Sequence, residues 1–308
     1  MTVDGDAAGQ RIDNFLRKLL NDVPHGHIYR IIRTGQVRVN GKRIKPTYKL
    51  VELDDLRLPP LLRRAPGERQ APDALCQRLE SAVIHEDDEL LVLNKPAGIA
   101  VHQGSDVPFG VIETLRQTRQ SSRLELIHRL DKETSGCLLV GKTLKATRLY
   151  QEMFKERGVQ KHYRALLSGR WDAQRERVAL RLSKQRGNSG EERVISDRNG
   201  QTAESFFSTL RQFSAVTEVD VEITTGRTHQ IRAHAAQSRH AVVGDRKYGN
   251  RIENAEFRRM GLNRLYLHAE RLRLPDGKHF EQSPDKQWQA DLDSLTRVTS
   301  RGQGPEVT

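Results

Sequence analysis

The residues best suited to chemistry stand in one charge-dense segment, His128-Arg129-Leu130-Asp131-Lys132-Glu133-Thr134-Ser135-Gly136. It is wedged between the apolar runs Leu124-Glu125-Leu126-Ile127 and Cys137-Leu138-Leu139-Val140. Both runs read as strands, and a carboxylate beside an arginine, followed by the turn-forming Thr-Ser-Gly, suggests a functional loop on a rigid sheet. An isolated Arg-x-Asp is usually an ordinary surface turn. Here two companion motifs stand in order around it: Lys95-Pro96-Ala97-Gly98-Ile99-Ala100-Val101-His102 upstream and Thr225-Gly226-Arg227-Thr228-His229-Gln230-Ile231-Arg232-Ala233-His234 downstream. The sequence has no phosphate-cradling glycine loop, no metal-ligand spacing and no dinucleotide fingerprint, so the expected chemistry is acid–base or nucleophilic work by side chains alone, with no cofactor and no metal. His229 and His234 are five apart and do not share a helical face as a two-histidine metal site would. Cys76 and Cys137 lie far apart without a C-x-x-C partner, which supports neither a disulfide framework nor a zinc site. Cys137 opens an apolar strand and is expected to be a buried thiol rather than a nucleophile.

These groups must be positioned by a chain of 308 residues, enough for one sizeable core and a smaller domain. Its net charge of +12 points to a polyanion, either nucleic acid or an anionic membrane surface. No apolar run reaches the length of a spanning helix, and the start, Met1-Thr2-Val3-Asp4-Gly5-Asp6, lacks the order of a signal peptide. Nucleic acid in the cytoplasm is the expectation, with no membrane partner. The charge is uneven: between Gln10 and Gln70, fourteen Lys or Arg stand against six Asp or Glu, an excess of eight.

Within that segment Ile12, Phe15, Leu16, Leu19 and Leu20 have helical spacing, repeated by Ile28, Ile31 and Ile32 after Pro24-His25-Gly26. Gly35 stops the second helix, and Val37 and Val39 alternate into Asn40-Gly41, a two-residue hairpin signal, with Ile44 returning. Arg30, Arg33, Arg38, Lys42, Arg43 and Lys45 cluster around the helix and hairpin, where they could meet phosphates together. Pro59 to Pro72 reads as a linker. Beyond it, strands are expected at Ser81–His85 and Leu90–Asn94, and a helix at Lys145–Lys155 with Leu149 and Met153 on one face. Another helix is expected after the Thr225-to-Arg232 motif. Irregular alternation of strands and helices favours an α+β domain with a mostly antiparallel mixed sheet. Gly187-Asn188-Ser189-Gly190 and Asn199-Gly200 predict hairpin turns or a mobile insertion. Residues 1–9 and the tail 299–308 are expected to be disordered or flexible, leaving 10–70 as the basic module and 71–298 as the larger domain.

The ordered motifs resemble those of the RluA family of pseudouridine synthases, from about Gln10 to about Pro284. Arg11-Ile12-Asp13-Asn14-Phe15-Leu16 and Gly35-Gln36-Val37-Arg38-Val39-Asn40-Gly41-Lys42-Arg43 resemble an S4 RNA-binding domain, built as an αα-hairpin module. The resemblance implies isomerisation of uridine to pseudouridine: the glycosidic C–N bond breaks, the uracil turns, and a C–C bond forms through C5. It implies Asp131 as the catalytic aspartate and Arg227 as the arginine paired with it. It further implies Tyr163, in Lys161-His162-Tyr163-Arg164-Ala165, as the active-site tyrosine, and Arg129 as the residue filling the stack when the uridine flips out. Leu267 would line the pocket. Lys95 and His102 are weaker candidates for supporting it or touching RNA. Ala233, Ala235 and Ala236 depart from the bulkier residues common in the family. Placement of the S4-like module, with Ile44-Lys45-Pro46 and Phe109-Gly110-Val111-Ile112-Glu113, favours several uridines of large-subunit ribosomal RNA as the substrate. A monomer is expected. The alternatives are a synthase acting at another rRNA or tRNA position, an RNA-binding assembly factor with an inactive synthase-like domain, and a nuclease using a metal at Asp131 and Glu133.

Overall fold

The computed structural model describes residues 1–20, 23, 25–59, 70–104, 107–186 and 192–301, and divides the chain into two compact units, Met1–Gln70 and Ala71–Thr308. Residues 60–69 of the Pro59-to-Pro72 linker, the Gly187-to-Gly190 turn and most of the C-terminal tail lie outside the described residues.

In the first unit α1 (Ile12–Leu19) and α2 (His25–Arg33) precede β1 (Arg38–Val39), β2 (Lys42–Arg43) and β3 (Leu56–Arg57). The strands form a small antiparallel sheet in the order β2-β1-β3. The helical apolar spacing becomes the core: Ile12, Leu16, Leu20, Ile28, Ile31 and Ile32 pack with Val37 and Val39. Gly35 ends α2 at φ 74°, and Asn40 (φ 49°) and Gly41 (φ 73°) form the hairpin, both left-handed as such a two-residue turn demands. Asp13 joins the elements, accepting from Arg11 Nη2 (2.7 Å) and the Tyr29 hydroxyl (2.8 Å). The expectation of disorder over residues 1–9 is corrected. The Met1 ammonium donates to Leu56 O, Val3 N–H to Asp54 O and Gly9 N–H to Leu50 O. Val3 and Ala7 are buried in the same core, so the segment is tied down by apolar contact as well as by backbone bonds. Arg30, Arg33, Arg38, Lys42, Arg43 and Lys45 are all exposed.

The second unit runs α3 (Asp73–Glu80), β4 (Val83–Glu86), β5 (Leu90–Lys95), α4 (Val111–Thr118), β6 (Glu125–Leu126), β7 (Ser135–Gly141), α5 (Leu144–Lys155), β8 (Gln160–Ser168) and β9 (Arg175–Arg186). It continues with β10 (Glu192–Ser196), β11 (Gln201–Gln212), β12 (Val216–Ile223), α6 (Gln230–Gln237), α7 (Arg251–Arg259), β13 (Leu267–Arg273), β14 (His279–Glu281) and α8 (Lys286–Arg301). An eleven-stranded sheet has the path β10-β9-β11-β12-β8-β13-β7-β5-β4, with β14 on β13 and β6 on β7. Among the described residues β13 and β7 are the parallel pair and the other pairings are antiparallel, which makes the domain α+β with a mixed sheet. Helix α8 carries order to Arg301, beyond the expected boundary at residue 299. Leu149, which shares one face of α5 with Met153, is 48% exposed, while Ala146, Thr147 and Tyr150 are the buried residues of that helix.

One face of the sheet centre, with Tyr163, Ala165, Val221, Ile223, Leu267 and Ala269, packs against Ile231 and Ala235 of α6. Small side chains let α6 sit close: Ala235 is fully buried in this core, and Ala233 packs with Leu182, Val194 and Ala203. Gly136, at φ 110°, allows β7 to lie against β13, because a Cβ there would stand 2.2 Å from the carbonyl oxygen of Ala269.

Three histidines, His234 and His268 buried and His128 half-buried, predict the acid behaviour of the fold. Burial draws His128 down to about 3, and His234 and His268 to about 4. His128 Nε2 accepts from Leu139 N–H, His268 Nδ1 accepts from the Ser135 hydroxyl, and both ring nitrogens of His234 are buried with no partner among the described residues. Unfolded histidine titrates near 6.5. Between about pH 6.5 and 4 the unfolded chain therefore binds more protons, and stability falls as pH is lowered through that window. Thermal midpoints measured over it should decline, and His234→Leu should make the slope shallower. An unchanged slope in that variant would remove His234 from the account.

Candidate active site

The charge-dense segment is the connection from β6 to β7, and its last residues begin β7. Lys95, at the end of β5 and fully buried, donates to the carbonyls of Pro96, Ile99 and Lys132 at 2.9–3.1 Å, while Gly98 N–H also donates to Lys132 O. Burial draws the Lys95 ammonium down to about 7. The upstream motif thus pins the loop from behind, and Lys95 is a support for it rather than an exposed RNA contact. His102 faces Glu113 at 3.5 Å and is half exposed. On the other side of the loop, His128 stacks on Phe154 with ring centroids 4.6 Å apart and takes the Leu139 N–H, fixing the chain three residues before Asp131.

A pocket with about 450 Å³ of empty space, its open mouth included, collects residues from four parts of the chain. The β6–β7 loop supplies Arg129, Leu130, Asp131 and Thr134. Strand β8 supplies Tyr163, β13 supplies Leu267, and the downstream motif supplies Arg227, His229 and Arg232. All five residues expected at the reaction centre, Arg129, Asp131, Tyr163, Arg227 and Leu267, line this one pocket.

The pairing of Asp131 with Arg227 is corrected. Asp131 Oδ2 accepts from Nη1 of Arg232 at 3.0 Å, whereas Arg227 Nε reaches Thr202 O at 3.4 Å. The cause is local geometry. Arg227 sits in a turn braced by Gln230, whose Oε1 accepts from Arg227 N–H and the Thr225 hydroxyl and whose Nε2 donates to Glu204 O. Arg232 stands one turn into α6 and projects back to the loop. Its Nε and Nη2 form a two-pronged bond with Asp245 at 2.7 and 2.9 Å, and its guanidinium lies 5.1 Å from the Tyr248 ring centroid. Burial alone would raise the Asp245 carboxyl, but Arg232 and the N–H groups of Tyr248 and Lys247 outweigh it and hold it below its ordinary range. Arg232 is thereby a fixed cation that holds one carboxylate oxygen of Asp131 on the pocket wall.

Tyr163 is buried, and burial followed by the charge of Asp131 pushes its phenol well above the ordinary value. A neutral ring suited to stacking is what this environment maintains, and proton removal by the phenolate is disfavoured. Cys137 matches the expectation of an inert thiol: burial pushes it up to about 12, and it donates to Glu270 O. The sequence did not single out Asp245, Tyr248 or His229 as parts of the site, and Arg232 stood out only as a member of a motif. The run Gly244-Asp245-Arg246-Lys247-Tyr248-Gly249 has a glycine at each end, and that turn signal was the available clue. Among the described residues no cluster of His, Cys, Asp and Glu is placed to hold a metal ion.

Residues 89–237 match the RNA pseudouridylate synthase family, and residues 10–56 match the S4 domain. The chain belongs to the RNA pseudouridylate synthase family, in its RluA group. A Vibrio vulnificus protein named ribosomal large subunit pseudouridine synthase C is 46% identical over 276 residues, covering 88% of this chain and 87% of that protein. The Escherichia coli K12 protein of the same name is 46% identical over 280 residues, covering 89% and 88%. Among solved structures, human RNA pseudouridylate synthase domain containing 4 superposes with a TM-score of 0.61 at 25% identity, covering 73% of this chain and 96% of that one.

Proposed function

We propose that this enzyme isomerises uridines of large-subunit ribosomal RNA to pseudouridine, using the Asp131 pocket on a base flipped out of the RNA. The observation that carries this reading is the convergence of a carboxylate, a fixed arginine and a buried tyrosine in one open pocket. The names of the two bacterial relatives support the substrate. Asp131 acts on the glycosidic link, Tyr163 stacks on the uracil, Leu267 closes the apolar side, and Arg129 replaces the departed base in the stack. Arg232 holds the carboxylate in its orientation through the bond from Nη1 to Oδ2. Arg227, at the pocket edge with its Nε on Thr202 O, is assigned to the RNA backbone. Every group named comes from one chain, so a monomer suffices. A ribosomal RNA substrate supports a cytoplasmic location. No helix among the described residues is long and apolar enough to cross a membrane.

The deciding experiment incubates the protein with unmodified large-subunit rRNA and maps pseudouridine along it. Defined sites of conversion, insensitive to a chelator, are expected. Tight binding without conversion would favour an assembly factor, and chelator-sensitive cleavage would favour a nuclease.

The first unit is assigned the phosphate contacts, through Arg30, Arg33, Arg38, Lys42, Arg43 and Lys45. Changing Arg38, Lys42 and Arg43 together to Gln should weaken RNA binding and flatten the dependence of log K on log salt by about one unit for each phosphate no longer neutralised. Turnover at saturating RNA and low salt should persist. An unchanged salt slope would move the electrostatic role elsewhere on the protein.

A further inference from the structure

His229 is the most constrained pocket residue to which the reaction has so far given no task. Its backbone is left-handed, φ 50° and ψ 24°, a conformation that a residue with a Cβ adopts at a cost and that persists only when its surroundings impose it. It occupies the capping position of α6, yet its side chain makes no capping bond. The ring instead turns into the pocket. Nε2 stands 3.7 Å from Oδ2 of Asp131, and Nδ1 stands 2.8 Å from the hydroxyl of Tyr248.

The proton on that ring is fixed by its neighbours. The Tyr248 oxygen accepts the N–H of Val194 at 2.9 Å. The arrangement that uses all three groups has Tyr248 donate its own O–H to Nδ1, which leaves the neutral imidazole with its hydrogen on Nε2, facing Asp131. Burial keeps the Tyr248 phenol protonated and the imidazole below its ordinary pKa, against the raising effect of Asp131. At 3.7 Å the Nε2–H is beyond hydrogen-bond reach of the carboxylate, which Arg232 already holds. The site therefore contains a pre-aimed neutral donor, its direction set from outside the pocket, beside the group that opens the glycosidic bond.

We propose that His229 is a catalytic residue whose Nε2–H donates to a carbonyl oxygen of the uracil while the base is detached, with Tyr248 as the positioning residue that sets the tautomer. The inference rests on the proposed function above. Breaking the C1′–N1 bond leaves its electron pair on N1, and conjugation spreads that charge onto O2 and, through C6 and C5, onto O4. A fixed donor at either oxygen strengthens as the charge develops and holds the base while it turns.

The test uses an RNA whose target uridine the parent protein is first shown to convert. Failure at that stage counts against the proposed function and not against His229. Single-turnover rates at saturating RNA are then compared for the parent, His229→Phe, His229→Gln and Tyr248→Phe. Phe keeps the ring shape without a donor, and Gln returns an N–H at similar reach with the same left-handed backbone cost. His229→Phe should be slower by about 100-fold, the usual loss for one oxyanion donor, with RNA affinity nearly unchanged. His229→Gln should recover about tenfold of it, and Tyr248→Phe should fall between. Target sites carrying 2-thiouridine or 4-thiouridine, whose sulfur is a poor acceptor, then read the bond itself. One of the two should slow the parent about tenfold more than it slows His229→Phe. Should His229→Phe fail to fold, the same comparison is made between the parent and Tyr248→Phe. A donor-free variant at the parent rate, or equal thio effects in parent and variant, would overturn the proposal.

Discussion

Asp131→Asn is expected to reduce pseudouridine formation by roughly 10⁴-fold or more, the scale seen when a reacting group is removed from an otherwise intact site. The fold should survive. Arg232 loses the charge of one partner but keeps its two-pronged bond to Asp245, and the amide can still accept from Nη1. A neutral acceptor in place of a charged one costs about 1 kcal/mol, and Asp131 sits at a pocket wall where solvent softens the change. Thermal midpoint and RNA affinity should therefore stay close to the parent while mapped conversion disappears. Normal turnover by this variant would sink the assignment of Asp131.

Arg232→Met is expected to damage both stability and catalysis, and this separates it from Arg227→Met. The side chain of Asp245 is fully buried and has Arg232 as its ion-pair partner. Removing the guanidinium takes the two-pronged cation from a buried carboxylate that keeps the N–H groups of Lys247 and Tyr248, a loss of about 3–5 kcal/mol. Asp131 simultaneously loses its orienting cation, so the folded fraction should also turn over slowly. Arg227 is partly exposed with one long bond to a carbonyl, so Arg227→Met should change stability by less than about 1 kcal/mol and act chiefly on RNA binding. Unfolding curves and single-turnover rates for the pair decide it. Equal losses of rate in two well-folded variants would show that the Asp131–Arg232 pair is not the controlling one. Arg232→Lys would not rescue, because an ammonium cannot span Asp245 with two prongs and reach Asp131 as well.

The reach of the sequence was uneven for physical reasons. Period-two and period-3.6 apolar patterns located the small module, β4, β5 and α5 to within a few residues, because each is set by local burial on one face. The Asn40-Gly41 hairpin was legible because its turn demands left-handed residues. The order of strands in the sheet was not legible, since β7, β8 and β13 are neighbours from distant parts of the chain. Choosing between Arg227 and Arg232 failed for a related reason. Both lie in one motif, and which of them reaches Asp131 depends on where α6 begins, which the Gln230 brace decides rather than any spacing. The N-terminal residues were misread because two buried side chains, Val3 and Ala7, suffice to order a polar segment when a partner surface is present.

The parallel pairing of β7 with β13 sets when this enzyme becomes competent during its own synthesis. Ser135 and Gly136, directly after the Asp131 loop, register with His268 and Ala269, more than 130 positions later. Strand β13 also brings Leu267, and the bond from Ser135 to His268 ties the loop end to it. A nascent chain that has already displayed the basic module therefore carries an incomplete pocket until its last strands have emerged. Loop closure over so long a span is slow compared with forming the local α1–α2 hairpin. With the phosphate contacts assigned to the first unit as proposed, RNA capture precedes isomerisation, and chains truncated ahead of β13 should bind RNA as silent competitors rather than modify it.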